Sequence, residues 1–362
     1  MTSPPRSIRF IFIALAGISL LTALWSGLAR MGWDLPVPNR DFVSLHGPLM
    51  AIGFLGTLIG LERAAAVERW WVYGIPLFSV VTIGALFADA PLPVITSPAI
   101  IAAFLLTLFF AGLYRRQPAE HFVVMTLSAV AFCVGNIIWF AEAPLSQVVP
   151  WWAGYLVLMI AGERLELTRM RRPPLSVRVL FRVCAALILV GLTISIYPFY
   201  VGVRIAGAGL FLLALWLLRY DLAWQSLSQP GLPRFMARCL IAGYVWLAIG
   251  GALWIIFAKF FAAGPVYDAM LHTIFLGFVF SMIFAHGPII LPVITGMKLP
   301  FHNLFYLHAL LLHAGLILRI AGDLSDSIWA QKSGGALNAL AILLFLFNNI
   351  RAVKLANRAT SP

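Results

Sequence analysis

The chain has 362 residues, of which 62% are hydrophobic and only 10% charged, with a net charge of +12. That composition excludes a soluble domain. Apolar runs long enough to cross a hydrocarbon core of about 30 Å as helices recur along the whole length. The basic balance would suit a nucleic-acid partner only if the cations clustered on a folded surface, and they do not.

Twelve runs read as spans, near 8–29, 42–61, 71–89, 93–114, 121–141, 148–168, 178–197, 199–218, 238–261, 266–286, 301–321 and 334–353. The first is long, lacks a small-residue cleavage site and is followed directly by others, so it reads as a retained helix. With twelve spans both termini share one side. Of the 25 Lys and Arg, six (Arg30, Arg40, Arg204, Lys259, Arg319, Lys332) fall on the far side and the rest on the termini's side. This is the positive-inside asymmetry, which predicts cytoplasmic termini in a bacterial inner membrane. The partner implied is the lipid bilayer, with no nucleic acid. The expected fold is all-α: one integral membrane domain over 1–362, a polytopic helix bundle of about twelve transmembrane helices.

The second span carries His46-Gly47-Pro48, then Gly53-Phe54, and ends Gly60-Leu61-Glu62-Arg63. Gly53, Gly56 and Gly60 allow close helix approach, the stronger reading, and also leave room for a flat macrocycle. The sixth span reads Gly154-Tyr155 and ends Gly162-Glu163-Arg164; the tenth reads Gly277-Phe278. These spans are four helices apart, as a pseudo-threefold arrangement of four-helix units would require. Glu62, Arg63, Glu163, Arg164 and Glu166 are expected to form ion pairs at the inner ends. The run Arg169–Arg172 before Pro173-Pro174 reads as a loop. Cys133, Cys184 and Cys239 show no paired spacing and read as small apolar residues.

Histidine is the chain's most informative residue type. Ionisable groups at bilayer depth are costly and mark pathways or cofactors, and imidazole is a common metal ligand. At about 1.5 Å per residue, His46 lies roughly 6 Å, His272 roughly 9 Å and His313 roughly 12 Å below the outer ends of their spans. Three helices thus offer histidines in the outer third, as a haem iron or a small metal site needs. The alternative is that each bonds a neighbouring helix. His286 and His308 fall toward the inner end and could form a second metal site or a proton route. His302 and His121 read as interfacial. Arg319 and Arg204 stand near the outer surface, where haem propionates would want cations. Snorkelling, or pairing with Asp323, is the other reading of Arg319; Lys259 reads as snorkelling. Proline at 48 and 288 predicts a helix start, kink or break beside each preceding histidine, and Pro292, Gly296 and Pro300 predict irregular or re-entrant chain over 287–300. No phosphate loop, HExxH, CxxCH or paired-cysteine motif occurs, so any haem is non-covalent.

Twelve spans, His46 early in the second, His272-Thr273-Ile274-Phe275-Leu276-Gly277-Phe278 before Met282, and His308, His313 and Leu318-Arg319 in the eleventh resemble the NnrS family of haem- and copper-containing membrane proteins. More distantly they resemble the catalytic subunit of haem–copper oxidases and nitric oxide reductases. The resemblance implies b-type haem on His46 and His272, with His313 a further metal ligand. It also implies a role in nitric oxide metabolism or nitrosative-stress relief. Copper is the weaker implication, since no histidine occurs between His121 and His272. The rivals are a proton-coupled secondary transporter with buried histidines and an accessory protein of a respiratory complex, which would have a respiratory partner.

Overall fold

The structure is a computed structural model that describes residues 5–169 and 173–360. Twelve helices are long and apolar enough to span a membrane: α1 Arg6–Arg30, α2 Asp41–Val67, α3 Trp70–Phe87, α4 Leu92–Arg116, α5 Glu120–Phe140, α6 Leu145–Thr168, α7 Leu175–Ile194, α8 Phe199–Tyr220, α9 Leu232–Phe260, α10 Pro265–Thr295, α11 Phe305–Leu324 and α12 Ile328–Ala356. No strand occurs among the described residues. The fold is an all-α polytopic membrane bundle. Met170, Arg171 and Arg172, part of the basic run before Pro173, lie outside the described residues.

The helices cluster into two compact units. One comprises Met1–Tyr155 with Ile290–Gly296, the other Leu156–Ile289 with Met297–Pro362. In the first unit α3 packs on α4 and α4 on α5. Asn136 of α5 links this unit across helices: its amide donates to the Ala99 carbonyl at 3.2 Å and it accepts the Trp152 indole N–H at 3.0 Å. A buried amide in an apolar bundle is tolerated when both ends are satisfied in this way.

In the second unit α8 packs between α7 and α9, and glycine is the reason. A Cβ on Gly209 would lie 2.6 Å from the Ile188 backbone nitrogen of α7, and one on Gly207 would lie 2.7 Å from the Trp254 Cβ of α9. Lipid supplies no hydrophobic drive between helices, so backbone approach at small residues is what holds such pairs. Gly202→Val is therefore expected to destabilise the unit by about 1–3 kcal/mol through overpacking, because its Cβ would clash with the Ser195 backbone nitrogen. A denaturant titration in mixed micelles checks this. Cys184 and Cys239 are buried free thiols in this unit and Cys133 is a half-buried one in the other, in keeping with their reading as packing residues.

Two spans are not simple α-helices. In α2 a 3-10 stretch over Arg40–Leu45 passes through one α-turn, His46–Pro48, into a π-helix over Leu49–Gly56. In α10 an α-segment Pro265–His272 is followed by a π-helix over Thr273–Phe280. Gly53-Phe54 and Gly277-Phe278 hold the fifth and sixth places of their π segments. The echo read in the sequence is thus structural for these two spans, whereas Gly154-Tyr155 sits in an uninterrupted α-helix. A π residue turns through a smaller angle than an α residue. Faces counted at 3.6 residues per turn therefore drift across these segments. His286 does not share the face of His272, nor Gly60 that of His46.

The expectation of irregular chain over 287–300 is corrected. The helix runs through Pro288 and Pro292 to Thr295, and Gly296 stops it with φ +73. The end is anchored within the first unit: Arg9, itself buried, donates to the Ile294 carbonyl at 3.4 Å and to the Tyr73 hydroxyl at 3.1 Å. A cation at a helix C-terminus satisfies the last carbonyls and opposes the dipole. Non-helical chain is confined to 296–304. Of the two His-Gly-Pro tripeptides, only the one at His46 begins a helix.

Candidate functional site

His46 opens α-helical geometry in α2, and its Nδ1 lies 2.8 Å from the Ala23 carbonyl of α1. A carbonyl only accepts, so Nδ1 carries the proton and the lone pair is on Nε2. Gly27, one turn along α1, makes this possible: a Cβ there would lie 2.8 Å from His46 Nδ1. The glycines downstream do not leave room for a macrocycle. The space at Gly53 is taken by Ile83 and Ser19, and that at Gly60 by Ile75 and Pro76. Close packing is what those residues serve.

His272 in the second unit is held in the same tautomer by one turn of its own helix. Its Nδ1 lies 2.9 Å from the Asp268 carbonyl and 3.2 Å from Asp268 Oδ1. Asp268 in turn accepts two hydrogen bonds from Arg319 of α11, Nε to Oδ2 at 2.6 Å and Nη2 to Oδ1 at 2.8 Å. This forked pairing is the strong arginine–carboxylate geometry. Arg319 therefore neither snorkels nor stands open to a propionate, and its forked partner is Asp268, not Asp323. Asp323, 3% exposed, lies one turn beyond Arg319 and interacts with both Asp268 and Arg319. Arg204 is exposed on α8, as Lys259 is at the end of α9.

His313 is half-buried in α11, and its environment argues against ligation. The Trp246 indole N–H donates to His313 Nδ1 at 3.1 Å. That commits the lone pair of the neutral ring and places its proton on Nε2. His313 also lies eleven residues short of Leu324, roughly 16 Å at the helical rise. This is further from the helix end than the sequence suggests, because α11 continues beyond the apolar run.

The inner histidines separate into two kinds. His286, in α10, has Nδ1 2.8 Å from the Met282 carbonyl, again leaving the lone pair on Nε2. His308 is fully buried in an aromatic box of Phe235, Phe284, Phe305 and Phe345, with ring centroids 4.7–6.0 Å away. The Asn348 amide lies 3.1 Å from His308 Nδ1 while also donating to the Leu304 carbonyl at 3.2 Å. The amide nitrogen is a donor in both contacts, so His308 Nδ1 accepts and its N–H is on Nε2, against aromatic rings. Its place is that of a packed ring whose Nδ1 lone pair is taken by Asn348. His302 is exposed on the loop before α11 and accepts the Leu304 N–H at 3.2 Å, in keeping with an interfacial place. His121 begins α5 but is 1% exposed, with Phe122 at 4.2 Å, so its interfacial reading is corrected to a buried one.

Among the described residues, no three His, Cys, Asp or Glu side chains group as a metal site. The set His46, His272, His313, His286 and His308 is therefore not one cluster. Of the inner-end ion pairs, Glu62 and Arg63 meet at 3.8 Å. Arg164 instead pairs with Asp221, two bonds of 2.8 Å each, in the second unit. Sequence reading missed Asp221 and Asp268 as partners. Asp268 left a signal: it is the one acidic residue in α10, one turn before a histidine.

None of the curated proteins matches the chain. A family described as a domain of unknown function, DUF8744, matches residues 9–354, nearly the whole of the bundle. The chain belongs to the DUF8744 family.

Proposed function

We propose that this protein binds b-type haem, with His46 and His272 each a candidate to hold the group. The observation that carries the reading is that each donates Nδ1–H to a backbone carbonyl, at 2.8 and 2.9 Å, and stands at the mouth of an eight-residue π-helix. Ligating histidines characteristically donate their second nitrogen to a carbonyl or carboxylate, which fixes ring and tautomer. Wide helical turns cluster at functional sites. An axial haem ligand needs one such imidazole, not a cluster of three. The donor set does not fit copper, because the lone pair of His313 is committed to Trp246 and no three-ligand group converges among the described residues.

When bound, haem would supply redox chemistry and a site for a diatomic ligand. The residues' part is to hold and orient the imidazoles. The resemblance to the NnrS family points to nitric oxide as that ligand, to nitrosative-stress relief as the role, and to a respiratory partner as electron donor. The cation asymmetry supports a bacterial inner membrane with cytoplasmic termini.

The test is the absorption spectrum of the detergent-purified chain, expressed with ample haem, oxidised and dithionite-reduced. A Soret band is expected in wild type and its loss or shift in His46→Ala and His272→Ala. A colourless wild type would refute the haem reading and favour a transporter.

A further inference from the structure

We infer that Asp268 is a positioning residue for His272, held by Arg319, and that its carboxylate makes the His272 imidazole a stronger donor to the group it ligates. This rests on the haem reading above. Three contacts form a chain: Arg319 forks onto Asp268 at 2.6 and 2.8 Å, Asp268 Oδ1 stands 3.2 Å from His272 Nδ1, and the Asp268 carbonyl stands 2.9 Å from the same nitrogen.

Every member has a physical reason for its place. Arg319 is 7% exposed near the outer end of α11. A guanidinium at that burial requires a carboxylate with matching geometry. Asp268 lies in the first turn of α10, where the helix N-terminus favours a negative charge. One turn on, the imidazole of His272 comes back over the residue four before it. Asp323 on α11 is a further titratable neighbour of Asp268 and Arg319.

The consequence is electronic as well as geometric. An imidazole whose Nδ1–H is shared with an anionic oxygen carries more charge on Nε2, and outer-shell carboxylates of this kind raise ligand basicity. A more basic axial ligand stabilises the oxidised iron. The Nδ1 of His46 meets the Ala23 carbonyl at 2.8 Å.

The experiment is a redox titration of the haem-loaded full chain, with Asp268→Asn and Arg319→Lys. The Asn variant keeps the backbone bond to His272, removes the negative charge and replaces one of the two acceptors of the Arg319 fork by an amide. Its haem content is expected to match wild type while its midpoint potential moves positive. Arg319→Lys keeps the cation but cannot form the fork, so it is expected to move the potential in the same direction by less. If Asp268→Asn fails to fold, the Lys variant carries the test. A haem-loaded variant with the wild-type potential overturns this inference and leaves the haem reading standing, whereas a wild type without haem overturns both.

Discussion

Arg164→Met is expected to be the most damaging single substitution for stability, at about 3–5 kcal/mol, the usual cost of stranding one partner of a buried ion pair. Arg164 is 5% exposed and Asp221 fully buried, and the two are joined by paired 2.8 Å bonds. Asp221 follows directly on α8 and also accepts the Ala223 N–H at 2.7 Å, so one carboxylate both turns the chain and receives the guanidinium of α6. Removing the arginine leaves an anion without a counter-charge where water does not reach. Replacing both partners, Arg164→Met with Asp221→Leu, is expected to recover most of the loss but not all. The double variant removes the charge imbalance but leaves the Ala223 N–H without its acceptor and the buried Tyr244 hydroxyl without its two charged neighbours. Denaturant titration of the three proteins in mixed micelles checks the order wild type, double, single. A single variant as stable as the double would show the pair to be solvated.

Gly27→Leu is expected to abolish haem binding at His46 as completely as His46→Ala, though Gly27 has no functional group. Even a Cβ at position 27 would stand 2.8 Å from His46 Nδ1 and 2.9 Å from its Cε1, and a leucine side chain fills the volume of the ring itself. The imidazole would have to leave the Ala23 carbonyl, losing both tautomer and direction. His313→Ala is the contrasting variant. It deletes a ring whose lone pair already serves Trp246, so the Soret band should be unchanged in position and intensity. Spectra of the two variants beside wild type decide the matter. Loss of the band in His313→Ala would return that residue to the ligand set, and an intact wild-type spectrum in Gly27→Leu would remove His46 from it.

The twelve spans and the all-α class were legible in the sequence because crossing a bilayer demands one property of a segment taken by itself: length and apolarity sufficient to satisfy every backbone group internally. Which residues are chemically notable was equally legible, since a histidine or aspartate in an apolar run stands out by type alone. The state of His46, His308, His313 and Arg319 could not be read, because it depends on what an adjacent helix brings to each. Trp246 takes the Nδ1 lone pair of His313, Asn348 and four phenylalanines enclose His308, and Asp268 takes the fork of Arg319. The π segments escaped for a related reason. A wide turn changes the period on which face assignments rest, and nothing in Leu49–Gly56 or Thr273–Phe280 departs from ordinary apolar helix composition. By itself the sequence determined the number of crossings and the inventory of costly groups, which are properties of single segments. Only the tertiary structure decided which nitrogen of His46, His308 and His313 holds the proton and which cation meets which carboxylate, because those follow from contacts between helices, whereas at His272 and His286 the preceding turn of the same helix sets the tautomer.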